Sequence, residues 1–159
     1  LPPGGHSTAT ELYDGTNWTT SPGTLNHARS RIGPLGTQTA ALSVSGTPTS
    51  PVDKAVESWN GSAWTETGDL NTARNTFSGA GNNPAAVVFG GSVSPKQQTE
   101  EYNGVSWSES GDLSTVRYLP SGIGTQTAAL AAGGHPPYYN NHPYHSYNNS
   151  NSLSYMIFV

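Results

Sequence analysis

Cysteine is absent, charge is sparse and no apolar run is long in this 159-residue chain. Each shortage closes a class of protein. Without cysteine there is no disulfide scaffold, thiolate zinc ribbon, thiol nucleophile or iron–sulfur ligation, although the compartment stays open because an extracellular chain needs no bridges. Charged residues make up 10% and the formal net charge is −4, so no basic patch exists to hold nucleic acid or an anionic membrane surface. No stretch approaches the roughly 18 apolar residues of a membrane helix, which predicts no membrane insertion. The opening at Leu1 shows neither Met nor a basic-then-apolar leader and predicts a processed or partial chain. Leu, Ile, Val and Phe together reach only 25 residues, below the roughly 20% of a chain with an ample aliphatic core. Disorder would also need high net charge, and that is missing. What fills the space is Ser 20, Thr 18, Asn 13, Gly 19 and Pro 12, the composition of short strands joined by many turns rather than of helices.

The strongest feature is an internal repeat. Glu11-Leu-Tyr-Asp-Gly-Thr-Asn-Trp18 returns as Glu57-Ser-Trp-Asn-Gly-Ser-Ala-Trp64 and as Glu100-Glu-Tyr-Asn-Gly-Val-Ser-Trp107, so the tryptophans are 46 and 43 residues apart. Leu25-Asn-His-Ala-Arg29 returns as Leu70-Asn-Thr-Ala-Arg74 and Leu113-Ser-Thr-Val-Arg117, with arginine spacings of 45 and 43. A third marker, Gly36-Thr-Gln-Thr-Ala-Ala-Leu42, recurs as Gly124-Thr-Gln-Thr-Ala-Ala-Leu130, while the middle copy diverges to Gly81-Asn-Asn-Pro-Ala-Ala-Val87.

Within a unit the chemistry is that of strands. Asp14-Gly15, Asn60-Gly61 and Asn103-Gly104 predict hairpins with two-residue type I′ turns, each flanked by aromatics. Ala85-Ala-Val-Val-Phe89 and Ala128-Ala-Leu-Ala-Ala132 predict strands buried on both faces, closing on Gly90-Gly91 and Gly133-Gly134. A fourth strand is expected to begin near the arginine, as in Arg74-Asn-Thr-Phe or Arg117-Tyr-Leu. The unit is then a four-stranded antiparallel sheet of mid-forties length, the size of a propeller blade.

An apolar run ending in Gly-Gly, a variable loop, an aromatic, a turn, a Trp and later an Arg resembles the kelch repeats of galactose-oxidase-like β-propellers. Leu-Asn-Thr-Ala-Arg followed by Gly-Thr-Gln-Thr-Ala-Ala-Leu is most similar to the kelch-like repeats of marine bacteriophage structural proteins. The resemblance covers residues 4–134, with Ser45-Gly46 standing where Gly-Gly is expected and Trp59 where Tyr is usual. It implies an all-β fold of kelch-like, four-stranded antiparallel blades. Residues 1–134 form the repeat region, with two complete blades and two complementary halves, about three blade equivalents. Closed propellers hold about four to eight blades, so the chain is a partial ring or is completed by another chain or a missing segment. Residues 135–159 are a Tyr/His/Asn/Pro-rich extension whose last residues, Leu153-Ser-Tyr-Met-Ile-Phe-Val159, predict one terminal strand.

Candidate chemistry is read against this repeat. The copper radical oxidases within the resembled family need a Tyr–Cys cross-link, which a cysteine-free chain cannot form. His135, His142 and His145 sit in a Pro-Asn segment with no regular scaffold to fix a coordination geometry, so neither a metal nor a cofactor is expected. A residue demanded by one ligand appears once, whereas a residue demanded by every unit recurs. Arg29, Arg74 and Arg117 are therefore assigned to backbone carbonyls or to acids such as Asp69 and Asp112. Trp18, Trp64 and Trp107 are assigned to packing between units, and Gly90, Gly91, Gly133 and Gly134 to the turns. Glu57, Glu100 and Glu101 recur with the repeat and form no asymmetric catalytic pair, so no catalytic residue is expected. Asn17-Trp-Thr, Asn60-Gly-Ser and Asn148-Asn-Ser match the glycosylation triplet, but the hairpin accounts for the first two and a Ser/Thr/Asn-rich chain produces such triplets freely, so glycosylation is not expected.

Side chains that the repeat does not dictate lie in the loops 47–53 and 92–98 and in the extension, which makes Tyr138, Tyr139, His142, Tyr144 and His145 the candidate partner-binding residues. The resemblance implies a non-enzymatic virion structural or adhesin protein, a tail fibre or surface decoration, outside the cell or on the particle. Its implied partners are other virion or surface proteins and glycans, in a homo-oligomer or a larger assembly. The alternative is a secreted or cell-surface bacterial propeller serving as an interaction module or filament subunit.

Overall fold

A computed structural model describes residues 5–47, 53–92 and 96–135. Among them the chain is all-β, with twelve strands in four antiparallel sheets and no helix. Sheet I is β1 (Glu11–Tyr13) with β2 (Trp18–Thr20). Sheet II runs in chain order through β3 (Gly33–Thr37), β4 (Ala40–Gly46), β5 (Asp53–Trp59) and β6 (Trp64–Thr67). Sheet III repeats that meander with β7 (Ser78–Asn82), β8 (Ala85–Phe89), β9 (Thr99–Tyr102) and β10 (Trp107–Ser110). Sheet IV is β11 (Ser121–Thr125) with β12 (Ala128–Ala132). Strands β3, β7 and β11 lie side by side, and the sheets stack across them.

The hairpins at the Asx-Gly dipeptides correct the two-residue expectation. Tyr13 pairs with Trp18, Trp59 with Trp64 and Tyr102 with Trp107, so four residues form each loop. The Asx side chain is the reason. Asp14 Oδ1 accepts the amides of Thr16 and Asn17 at 2.8 and 2.7 Å, Asn60 Oδ1 those of Ser62 and Ala63, and Asn103 Oδ1 those of Val105 and Ser106. A side chain that captures two loop amides stabilises the wider turn. Only the following glycine then takes a positive φ, 99°, 98° and 96° at Gly15, Gly61 and Gly104. The aromatic pair that closes each loop has ring centroids 5.0 to 5.3 Å apart, in the tilted range favoured by ring quadrupoles.

The strand that follows each arginine also starts later than expected, at Gly33, Ser78 and Ser121, because the chain turns through a left-handed residue after each arginine. Arg31, Thr76 and Leu119 hold φ of 55°, 53° and 53°, a conformation that costs a non-glycine residue on the order of 1–3 kcal/mol. Ser45, at the position of Gly90 and Gly133, adopts the same sign with φ 53°. Its hydroxyl donates to the carbonyl oxygen of Arg74.

The principal core lies within and between sheets II and III: Leu35, Leu42, Val44, Val56, Leu70, Phe77, Ala86, Val88, Tyr102 and Trp107. A smaller cluster of Ala80, Val87 and Phe89 faces Leu113 and Ala131 toward sheet IV. Glycine permits the close inter-sheet approach: a Cβ on Gly33 would enter the Phe77 ring, and one on Gly68 would meet the Val105 carbonyl. Sheets I and IV, each half of such a unit, are largely exposed. Among the described residues no helix is long and apolar enough to cross a membrane.

Candidate functional site

The recurring arginines meet recurring glutamates of the following sheet, and the acids expected at this position, Asp69 and Asp112, are not their partners. Arg29 Nη2 donates to Glu57 Oε1 at 2.8 Å, with both side chains fully buried. Its Nη1 donates to the carbonyls of Ala55 at 2.8 Å and Ser45 at 3.4 Å. Glu57 on β5 also accepts the Asn26 amide at 2.7 Å, Asn26 Nδ2 at 2.9 Å and the His27 amide at 3.3 Å. Sheet III repeats the set. Arg74 Nη2 lies 2.6 Å from Glu100 Oε1, Arg74 Nη1 donates to Gln98 and Gly90 carbonyls, and Glu100 accepts from Asn71 and the Thr72 amide. Each carboxylate is thus charge-paired and ringed by donors, which is what makes a charge tolerable away from water. The segment leading into one sheet is locked to the third strand of that sheet.

Arg117 differs. Its Nη1 donates to the Gly133 carbonyl, and among the described residues no carboxylate reaches it. Glu11, the repeat counterpart of Glu57 and Glu100, is exposed and has no partner among the described residues.

The tryptophans are graded. Trp107 is buried in the principal core, Trp64 is half-buried with Nε1 donating to Thr10 Oγ1 at 2.9 Å, and Trp18 is exposed outside the core. Trp59, the departure from the usual Tyr, is buried and donates to the Gln38 carbonyl at 2.8 Å. Among the described residues the Trp107 Nε1 hydrogen has no acceptor, and the repeat gives the reason: the position held by Thr10 just before β1 is held by Val56 in sheet II. Gly90 and Gly91 take φ of 73° and 123° where the chain passes the next unit, the Gly91 amide donating to the Arg117 carbonyl at 3.1 Å. Gly133 and Gly134 repeat the positive φ at 64° and 84°.

The turns β3–β4, β7–β8 and β11–β12 converge on one open cleft of about 430 Å³. Gly36, Thr37, Gly81, Asn82, Ala85 and Gly124 to Thr127 line it. Among the described residues the lining is neutral, with hydroxyl- and amide-bearing side chains and no ionisable one, so it presents no local field that selects charge. Sequence reading treated these turns only as repeat markers. Their identical composition in the first and third units carried the clue, because equivalent turns of stacked sheets fall on one side of the stack. Gln126 at the rim is committed to structure, its Nε2 donating to the carbonyls of Ala86 at 3.1 Å and Tyr102 at 2.7 Å.

Tyr138, Tyr139, His142, Tyr144 and His145, the expected terminal strand of residues 153–159, and residues 48–52 and 93–95 of the two loops lie outside the described residues. Among the described residues no three His, Cys, Asp or Glu side chains gather as a metal site. Neither the family models nor the curated proteins give a match to this chain.

Proposed function

We propose that the chain is a kelch-like β-propeller segment of a virion structural or adhesin protein, in which sheets II and III are complete blades and sheets I and IV are half-blades. It works as a non-enzymatic scaffold for assembly and for contact with host-surface glycans. The observation that carries the reading is the cleft at the convergent turns, lined by threonine, asparagine, glutamine, alanine and glycine and, among the described residues, by no ionisable side chain. Neutral sugars match such a surface, since they bind through many hydroxyl contacts and need no counter-charge. The buried carboxylates support the non-enzymatic part: Glu57 and Glu100 are removed from solvent and their oxygens are occupied. The virion part is supported by the resemblance of Leu70-Asn-Thr-Ala-Arg74 and Gly124-Thr-Gln-Thr-Ala-Ala-Leu130 to phage structural repeats.

The test is saturation-transfer NMR of the chain against a panel of neutral and anionic oligosaccharides. Neutral sugars should bind, and Asn82→Ala with Thr125→Ala should abolish the transfer while the fold is kept. Absence of transfer from every sugar to the folded chain would overturn the glycan reading. Peptides from residues 53–92 in purified particles would support the virion placement, and their absence from particles of a producing host would refute it.

A further inference from the structure

The three Asx-Gly loops share a geometry and differ in one functional group. Asp14 carries a carboxylate where Asn60 and Asn103 carry a carboxamide. All three are exposed, and each turns Oδ1 toward two backbone amides of its own loop. Asn60 Oδ1 accepts a third bond, from the Ser62 hydroxyl at 2.9 Å. Among the described residues the Nδ2 groups of Asn60 and Asn103 make no hydrogen bond, and the backbone amides of Gly61 and Gly104 donate none. Asn26 and Asn71 are the contrast. Their Nδ2 groups are held by Glu57 and Glu100, and His27 and Thr72 follow them where the loops have glycine.

We propose that Asn60 and Asn103 are sites of spontaneous deamidation, Asn60 the faster, and that their loops accept the aspartate product without rearranging. The Gly61 nitrogen gives its proton to hydroxide and bonds to Asn60 Cγ. The Cγ–Nδ2 bond then breaks, and Nδ2 takes a proton from water and leaves as ammonia, which regenerates the hydroxide. Water opens the resulting five-membered imide. Cleavage between Cγ and the Gly61 nitrogen yields aspartate, and cleavage between the Asn60 main-chain carbonyl carbon and that nitrogen yields isoaspartate. The sum consumes one water, releases one ammonia and changes no oxidation state. Gly104 and Asn103 react in the same way.

The loop favours the first step. As the glycine nitrogen attacks, negative charge develops on Oδ1, and donors already aimed at that oxygen stabilise it without reorganising. The nucleophile and the leaving nitrogen are both unspent, and glycine puts no side chain beside the attacking atom. Three donors at Asn60 against two at Asn103 rank the sites. Space ranks them the same way: a Cβ on Gly61 would have its nearest neighbour, Thr39, 3.8 Å away, whereas one on Gly104 would lie 2.9 Å from Pro84 Cβ. Asp14 shows the product in place. Its loop keeps both amide bonds, Gly15 keeps φ 99° against 98° and 96° at Gly61 and Gly104, and the Tyr13 and Trp18 rings stay 5.2 Å apart. Each conversion makes the net charge of −4 more negative by one unit. Since ammonia is lost, the charge of the chain records its time at neutral or alkaline pH.

The experiment holds the full chain at mildly alkaline pH, folded and in urea, and follows each asparagine by tryptic peptide mapping with mass spectrometry. The fragments 55–74 and 97–117 carry Asn60 and Asn103. In the folded chain Asn60 should convert first and Asn103 next, with Asn26 and Asn71 more than about tenfold slower than Asn60. Ser62→Ala removes the third donor at an exposed tip and should slow Asn60 to about the Asn103 rate. Asn60→Asp with Asn103→Asp should keep the near-ultraviolet circular dichroism of Trp59 and Tyr102. Asn60 converting no faster than Asn71, or faster in urea than in the folded chain, overturns the role of the loop. Conversion of Asn103 ahead of Asn60, or an unchanged Asn60 rate in folded Ser62→Ala, overturns the ranking by donors; if that variant does not fold, the wild-type order of the two sites decides. Loss of the native spectrum in the aspartate variant overturns the accommodation of the product.

Discussion

At the scale of single residues, the scarcity of aliphatic side chains is offset by polar groups buried as matched sets. Removing one partner of such a set strands the other, so Glu57→Ala should destabilise the folded chain by about 3–5 kcal/mol in urea unfolding, with Arg29 left buried and unpaired. Trp107→Ala should cost a similar amount, about 3–5 kcal/mol, by emptying part of the principal core. Val56→Thr places a hydroxyl at the repeat position of Thr10 and gives the Trp107 indole an acceptor, so its cost should stay under about 1 kcal/mol, against about 1–3 for a buried hydroxyl with no partner. Asp14 carries a titratable carboxyl where its counterparts Asn60 and Asn103 carry an amide. The Asn17 amide first, and then the Thr16 amide, hold its carboxyl below the ordinary carboxylate value. The loop stabilisation it supplies is therefore complete above the unfolded carboxylate pKa and is lost as pH falls through the lower folded value. Carbon-detected NMR should place the Asp14 midpoint below that of a free aspartate, with the Thr16 and Asn17 amides shifting together, while the Asn60 and Asn103 loops stay unchanged. The recurrence of Glu11, Glu57 and Glu100 was visible in the sequence, as was that of the arginines. Their pairing was not, because it joins residues 26 to 28 positions apart, and nearby Asp69 and Asp112 offered a closer carboxylate.

At the scale of strands and turns, periodicity and turn chemistry carried far: the apolar run Ala85–Phe89, the aromatic-flanked hairpins and the meander order follow from alternation and from Asx-Gly. The loop length did not, since the dipeptide fits both a tight turn and a wider one, and the choice is made by the Asx oxygen capturing two amides. The late strand starts were hidden too, because nothing in Arg-Asn-Thr or Arg-Tyr-Leu announces a left-handed residue. That conformation yields a test. Thr76→Gly should raise stability by about 1 kcal/mol in thermal unfolding, as relief of a β-branched residue at positive φ outweighs the added freedom of the unfolded chain. Gly33→Ala should lower it by about 1–3 kcal/mol, because the new methyl enters the space of the Phe77 ring.

At the scale of the whole molecule, the repeat and the sheet are out of phase. A sequence unit ends after the first two strands of one sheet, and the last two belong to the next unit, so every complete sheet is stitched from neighbouring units. This was legible in the order of markers along the chain. The neutral cleft was not, because it exists only once three turns distant in sequence stand together. The half-period offset also governs how such a protein grows. Duplicating or deleting one unit by recombination leaves every remaining junction between units the same, as with cohesive ends on a restriction fragment. Lineages can therefore lengthen or shorten the stack of sheets in whole-unit steps without having to invent a new packing surface.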